Sequence, residues 1–440
     1  MNESFDENIE RDIREATAAF EAMLREQYVR NARIQAAREA GGTIAAATAV
    51  ATGATTEATE AAANAATAAA IGAVVATAED TGATATDAAA ATPTDGKLVI
   101  GLAGGDGIGP IIMREARDVL ERLLADEIAA GRIALRPIDN FTLEHRLAAG
   151  KTVPDDVMAA MKECSALLKG PTTTPNASMN TVNLESANVF LRKAFDLFAN
   201  VRPVVIPEKN IDWSFFHENT EGEYALGSRG VRVGDSLAVD FKVTTREGTM
   251  RIARAAMDHA RATGKKRVSI VTKANIMKKT DGDFLEICRK IASEEYPELE
   301  IDSWFIDIMA ANLVNEDIRS QFQVFVLPNL YGDIITDEAA QIQGGVGTAG
   351  SANIGTEYAI FEAIHGSAPR MIEEGIGHLA NPASLLKASA MMLSHIGCTE
   401  QAARLETALA KADAELGARM TGLPGGATCR EFADLVRSYL

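Results

Sequence analysis

Along the first 40 residues apolar side chains recur at helical spacing, with Ile13, Ala16, Phe20, Met23, Leu24 and Tyr28 on one stripe and charges between them. That period predicts an amphipathic helix over residues 5–40, which must bury its stripe against the main body or a partner chain. Residues 42–95 lose the pattern. They are rich in Ala, Thr and Gly, and every charge among them is acidic. Few large side chains are available to offset ordering entropy, so the stretch reads as a disordered tether, with helix favoured by Ala and opposed by Thr and Gly. From Lys97 the texture changes. LVIGLA is a buried-strand run, GGDGIGP follows, and an amphipathic helix is predicted over residues 111–128. Apolar runs at 166–169, 202–206, 268–272, 300–306 and 322–327 read as strands, with helical patterns between many of them. The alternation predicts an α/β fold around a largely parallel sheet.

Composition narrows the function classes. At 440 residues the chain is long enough for about two to three domains. The net charge of −18 disfavours nucleic acid or an anionic membrane as partner, and an anionic substrate would need a local basic pocket. Cys164, Cys288, Cys398 and Cys429 are far apart and match no metal or disulfide spacing, which points to a reducing compartment. The early N-terminus is acidic, the reverse of a signal peptide, and residues 61–78 are uncharged but hold only Ile71, Val74 and Val75 as large apolar groups. The expectation is a cytoplasmic protein without a membrane partner.

Chemistry concentrates in a few segments. In LPNLYGDIITDEAAQIQGGVGTAGSANIG, Asp333 and Asp337 stand four apart after a strand that ends in Pro-Asn and then a Gly turn. A helix beginning near Ile334 would put both carboxylates on one side of its first turn, as hard oxygen ligands for Mg²⁺ or Mn²⁺. Alternatively Asp337 and Glu338 simply complement the helix N-terminus. GGDGIGP has the strand-turn-helix context of a dinucleotide turn, but its glycines run G-x-G-x-G and Pro110 sits where a helix would start, so a plain tight turn is the other reading. Arg192 and Arg202 offer bidentate forks for carboxylates, with Ser186 and Asn188 as neutral donors ahead of them. Tyr224 and Lys273, with Asn275 close behind, suit a proton-transfer pair at strand ends. In FEAIHGSAPR, backbone amides of a loop that cannot be regular helix would grip an adenosine or phosphate, and Arg370 would suit a 2′-phosphate.

Taken in order, GDGIGP, KGP-TTP, LRK-FDL-ANVRP, ENTEG-Y, K-N-MK, NLYGD-x-x-TD and HGSAP resemble the metal-dependent decarboxylating β-hydroxyacid dehydrogenases, the isocitrate/isopropylmalate dehydrogenase family, and within it isocitrate dehydrogenase most. The likeness covers residues 97–440. It implies an α/β fold with a discontinuous large cofactor domain (97–197 and 345–440) and a small dimerisation and metal domain (198–344), the active site lying in the cleft. Residues 1–41 and 42–96 stand outside as a helical extension and a tether. It implies a homodimer or higher homo-oligomer, because Lys273 and Asp307 would reach into the neighbouring subunit's site. Ser186, Asn188, Arg192 and Arg202, with His217 and Asn275, match substrate binders. Asp307, Asp333 and Asp337 match the ligands of Mg²⁺ or Mn²⁺, and Tyr224 and Lys273 the catalytic acid/base pair. Thr173 and Thr174 match the nicotinamide side of an NAD or NADP site, and His365, Gly366, Ser367, Ala368, Arg370 and Asn381 the adenosine side. The implied reaction is oxidative decarboxylation of isocitrate, the tricarboxylic acid cycle step, with reduction of NAD or NADP.

Within that resemblance, Ser186 and Asn188 favour a third substrate carboxylate over the isopropyl group of isopropylmalate, with homoisocitrate close behind, although Glu185 is shared with the isopropylmalate pattern. Arg370 stands where NAD enzymes carry Asp, which leans towards NADP. His217 departs from the family Arg and loses a fork, so weaker substrate binding is expected. Heteromeric relatives have regulatory subunits with decayed sites, but here Tyr224, Lys273, Asp307, Asp333 and Asp337 all survive.

Overall fold

The computed structural model describes residues 97–175, 184–227, 229–233 and 237–440, together with eight positions between Arg11 and Val29 that are all helical. The rest of the expected N-terminal helix and the whole tether at 42–95 lie outside the described residues. In chain order the elements begin β1 (Leu98–Ala103), α1 (Gly109–Leu123), α2 (Ala125–Ala129), β2 (Ile133–Pro137), α3 (Leu143–Ala149), α4 (Asp155–Lys162) and β3 (Ala166–Lys169). There follow α5 (Ala187–Ala194), β4 (Ala199–Ile206), β5 (Ile211–Glu218), β6 (Val231–Val233), β7 (Leu237–Val239), α6 (Arg246–Thr263), β8 (Arg267–Thr272), α7 (Thr280–Glu295) and β9 (Glu300–Phe305). The chain closes with α8 (Ile306–Val314), β10 (Val324–Leu327), α9 (Asn329–Gln343), β11 (Gly350–Ile354), β12 (Ala359–Ala363), α10 (Pro369–Glu373), α11 (Ala383–His395), α12 (Thr399–Leu416) and α13 (Cys429–Tyr439).

The helix expected at 111–128 starts earlier and divides. Pro110 sits at the second helical position, inside the first turn where its missing N–H costs nothing, and Leu124 (φ −103°, ψ 19°) leaves the helical region and separates α1 from α2. The buried stripe of α1, Ile112, Met113, Ala116, Val119, Leu120 and Leu123, follows the helical period and packs with α11, α12 and α13 on one end of the sheet.

The ten-stranded sheet has the order β2-β1-β3-β12-β11-β4-β5-β10-β8-β9. It is less uniformly parallel than the strand–helix alternation suggested. β2, β1, β3 and β12 are parallel, and so are β5, β10, β8 and β9, but β11 runs antiparallel to both neighbours and β4 antiparallel to β5. At the β4–β5 and β11–β12 pairs the cause is connection length. β4 reaches β5 through one short turn with Asn210 in the left-handed region, and β11 reaches β12 just as directly. Strands joined so closely can pair only antiparallel, whereas parallel pairing needs a crossover.

Apolar packing gathers at both ends of the sheet. One end buries residues from 98–197 and 352–436, including Leu168, Phe361, Leu386 and Phe432. The other buries residues between 199 and 339, where the rings of Phe215 and Phe325 stack at 4.3 Å beside Trp213. The middle of the sheet is polar instead, and the site sits there. Among the described residues no helix is long and apolar enough to cross a membrane.

Candidate active site

Helix α9 begins at Asn329, directly after Pro328, and not near Ile334. The expected Gly turn does not form because Gly332 is taken into the helix. A Cβ there would lie 2.2 Å from Cβ of His217 on β5, so only glycine lets α9 pass this closely. Asp333 and Asp337 therefore sit on successive turns inside the helix, beyond the first turn where the dipole acts, and the capping alternative loses its footing. Asn329 is fully buried, and its Nδ2 donates to Glu221 O at 3.0 Å, tying the helix start to the ENTEG turn.

Arg202 on β4 organises what α9 presents. Its Nη1 donates to Thr336 Oγ1 at 2.6 Å and to Asp337 Oδ1 at 3.1 Å, its Nη2 to Asp333 Oδ1 at 3.1 Å, and its Nε to Asn200 Oδ1 at 3.1 Å. Burial opposes the charge on Asp333, but His217, Arg192 and Arg202 outweigh it and hold the carboxyl below its usual range. Asp337 shifts the other way, raised by burial and by Asp333 beside it despite Arg202. The Tyr224 hydroxyl donates to Asp333, and burial, followed by that neighbouring charge, pushes its pKa up to about 12.

His217, expected among the substrate binders, is wholly buried. Its Nδ1 donates to Glu218 O at 2.9 Å, and its Nε2 has no hydrogen-bond partner and stands 3.6 Å from Asp333 Oδ1. Burial drops its pKa to about 4 although Asp333 works against the fall, so the imidazole is neutral at pH 7.

A cleft of about 160 Å³ opens beside this cluster, lined by Pro171, Thr172, Asn188, Arg192, Arg202, Ser351, Glu362, His365 and Gly366 among others. It brings together four segments singled out separately along the sequence. It also contains a network that sequence reading missed. Lys169, on β3, is 2% exposed and pairs with Glu362 on β12 at 2.7 Å, while Arg192 Nη2 stands 3.8 Å from the same carboxylate. Burial opposes the Glu362 charge, but Lys169 and Arg192 hold it ionised, below the usual range. Asn353 donates to Glu362 at 2.8 Å, and Asn200 and Asn219 donate to Asn353 at 3.0 and 2.9 Å. Lys169 lies in KGP and Glu362 in FEAIHG, so their segments were visible, but nothing in the chain order said that they meet.

Of the other candidates, Asn188, His365 and Gly366 line the cleft. Ser186 caps α5, its Oγ accepting from Val189 N at 3.5 Å, and Thr172 donates to Asn188 Oδ1 at 3.1 Å. The hydroxyls of Thr173 and Ser367 share a hydrogen bond at 2.7 Å, while Thr174 and Gly366 are exposed. His365 turns Nδ1 to Gly366 O at 3.0 Å, Ala368 adopts φ 44°, and Asn381 Oδ1 accepts from Ala383 N at 2.9 Å at the start of α11. A non-glycine residue held at positive φ is strain of the kind that concentrates at functional loops. Arg370 is 85% exposed, with Glu374 3.7 Å away. Lys273 pairs with Asp307 at 2.5 Å, and the carboxylate is held below its usual range first by that hydrogen bond. Asn275 is exposed in the turn beyond Lys273.

Asp333 and Asp337 offer adjacent hard oxygen donors, the donor chemistry that Mg²⁺ or Mn²⁺ takes. Among the described residues no three His, Cys, Asp or Glu side chains gather closely enough to hold an ion, so Asp307 does not join them within one chain.

Comparison with known proteins gives the arrangement its relatives. The isocitrate/isopropylmalate dehydrogenase family profile matches residues 99–436. The NAD isocitrate dehydrogenase subunit 2 of Schizosaccharomyces pombe, a mitochondrial protein, is 36% identical over 354 residues, covering 79% of this chain and 88% of its own. The NADP isocitrate dehydrogenase of Rickettsia prowazekii is 38% identical over 321 residues, covering 71% of this chain and 62% of its own. The crystal structure of isocitrate dehydrogenase from Methylococcus capsulatus superposes with a TM-score of 0.68 at 35% identity, covering 78% of this chain and 99% of that one. One profile runs through nearly the whole sheet and its helices, and relatives align along most of their length, so this chain belongs to the isocitrate/isopropylmalate dehydrogenase family.

Proposed function

We propose that this chain oxidatively decarboxylates isocitrate to 2-oxoglutarate and CO₂ with reduction of NADP or NAD, using Mg²⁺ or Mn²⁺. The observation that carries the reading is the cleft lined jointly by Arg192, Arg202 and Asn188 and by the His365–Gly366 loop. Two guanidiniums suit a polycarboxylate, and the loop beside them suits the dinucleotide. In this reading Arg192 and Arg202 grip substrate carboxylates, Arg202 giving up contacts with Asp333 and Asp337 as it does so, and Ser186 and Asn188 serve the third carboxylate. Asp333 and Asp337 would hold the divalent ion with Asp307 from a second copy. When bound, the ion stabilises negative charge on substrate oxygen and the nicotinamide accepts a hydride. Lys273 of that second copy removes the hydroxyl proton through a water or an Asp carboxylate. Tyr224, whose pKa of about 12 keeps it protonated at neutral pH, donates its hydroxyl proton to the substrate carbon left by CO₂.

The domains, 97–197 with 345–440 and 198–344, are part of this proposal, supported by the separate apolar clusters at the two ends of the sheet. A homodimer is supported by the exposed Lys273–Asp307 pair and by the exposed apolar side chains near it in sequence, Ile276, Phe305 and Ile308. Cytoplasmic action is proposed too, and cell fractionation tests it.

The test of function is steady-state kinetics with isocitrate, homoisocitrate and 3-isopropylmalate, each with NAD and NADP plus Mn²⁺. Isocitrate is expected to give the highest kcat/KM. Preference for either competitor would overturn the substrate, and no turnover of any of the three would favour a regulatory subunit.

A further inference from the structure

The Gly-rich turn between β1 and α1 is neither a dinucleotide cradle of the fingerprint kind nor a simple tight turn. Both of its positive-φ glycines are pressed against loops that border the cleft. A Cβ on Gly105 (φ 72°) would lie 2.2 Å from Pro171 O, and one on Gly107 (φ 59°) would lie 1.9 Å from Ser367 O. Backbone bonds join the same pieces, Asp106 N to Pro171 O at 2.8 Å and Ile108 N to Ser367 O at 3.0 Å.

The side chain of Asp106 then uses both oxygens. Oδ1 accepts from Leu143 N at the start of α3 at 2.6 Å, and Oδ2 accepts from Thr173 N at 2.8 Å. Arg146, on α3, approaches Thr173 from its carbonyl side. Its side chain is fully buried, Nη1 donates to Thr173 O at 2.9 Å and lies 3.6 Å from Asp106 Oδ2, and Nε donates to Thr152 O at 2.9 Å. Its Nη2 is buried without a partner. Thr173 is thus held at its amide by Asp106, at its carbonyl by Arg146 and at its hydroxyl by Ser367. A guanidinium buried with one nitrogen unsatisfied is costly to keep, and a helix-to-loop contact of this kind has no need of a charge.

We propose that Arg146 and Asp106 form a latch that sets the peptide unit of Thr173 and, through the Thr173–Ser367 hydroxyl pair, holds the two dinucleotide-binding loops in register. Neither residue lines the cleft, so both are positioning residues. The latch rests on the reading of Thr173 and Ser367 as cofactor contacts given above. It acts on the cofactor side, since the substrate side of the same loop is tied separately, by Thr172 to Asn188.

The experiment uses the full chain with Arg146→Met, Arg146→Lys and Asp106→Asn. NADH and NADPH binding is followed by fluorescence, and KM for cofactor and for isocitrate is measured separately. Arg146→Met is expected to raise the dinucleotide Kd and the cofactor KM by about 10-fold or more, the scale of a lost charge-assisted hydrogen bond, with isocitrate KM within about twofold. Arg146→Lys should recover part of the loss, and Asp106→Asn should move the same two constants if Arg146→Met does not fold. A folded Arg146→Met or Asp106→Asn chain with wild-type dinucleotide Kd overturns the latch. So does an equal rise in both KM values, which would mark a purely structural role. A wild-type chain that binds neither dinucleotide overturns the functional reading together with the latch, whereas wild-type binding that survives in the variants overturns the latch alone.

Discussion

Arg202 shows how a single side chain acquires its meaning from distant partners. It is buried on β4, and the two carboxylates it holds lie 131 and 135 residues further along the chain. Histidines tell a related story through pH. The ring of His259 tilts against Phe216, its Nε2 is 2.9 Å from Ser214 Oγ, and burial followed by the nearby Lys265 lowers its pKa from 6.5 to about 4. Between those values the unfolded chain binds more protons than the folded one. Stability is therefore fully present above the unfolded value and falls as pH drops towards the folded one. Urea midpoints of wild type are expected to fall further between pH 7 and pH 5 than those of His259→Gln, and equal falls would refute the assignment. At Arg370 the side chain is open to a ligand apart from Glu374. Arg370→Asp is expected to lower the NADP/NAD ratio of kcat/KM by about 10-fold or more, as when an ionic contact is replaced by repulsion. An unchanged ratio, measured with both cofactors, would remove Arg370 from the cofactor site.

Elements obey their local signals until a neighbour intervenes. Pro110 falls in the first turn of α1, and the apolar period sets its buried face as the sequence pattern suggested. In α9 the local signal misleads, since a glycine after Pro-Asn reads as a turn. What decides is the surface of β5, against which only a residue without Cβ fits. The consequence is testable against propensity. In an ordinary helix Gly→Ala gains about 1 kcal/mol, but Gly332→Ala is expected to cost about 1–3 kcal/mol through overpacking. It should also weaken Mn²⁺ binding by displacing Asp333, read by urea denaturation and by titration of the ion. A more stable variant with unchanged Mn²⁺ affinity would show that the contact is slack. The antiparallel centre of the sheet escaped sequence reading for a similar reason, because an apolar run gives a strand but not its direction.

For the whole molecule, the net charge of −18 left room for an anionic substrate only in a local basic pocket, and Arg192 and Arg202 lie in one cleft. The proposed pairing of two copies makes each site composite. Ile308→Asp, on the exposed face of α8, is expected to yield monomers in sedimentation velocity and to abolish turnover with them. An active monomer would end the shared-site reading. A mixture of inactive Lys273→Ala and Tyr224→Phe chains should regain activity after joint refolding, since one site of each hybrid keeps both native groups. Absence of recovery in a verified hybrid would place the two groups in the same subunit.

By itself the sequence determined the α/β class, the apolar face of α1, the family motifs and the residue types that carry the chemistry, because each is written in local periodicity or in contiguous residues. Tertiary structure alone decided which of those residues meet. The Lys169–Glu362 pair, the three grips on Thr173, the seat of Arg202 on α9 and the passage of Gly332 over His217 all join segments far apart in the chain. The physical reason is that burial and hydrogen bonding act through space, and a buried polar group takes whichever partner the packed strands bring within about 3 Å.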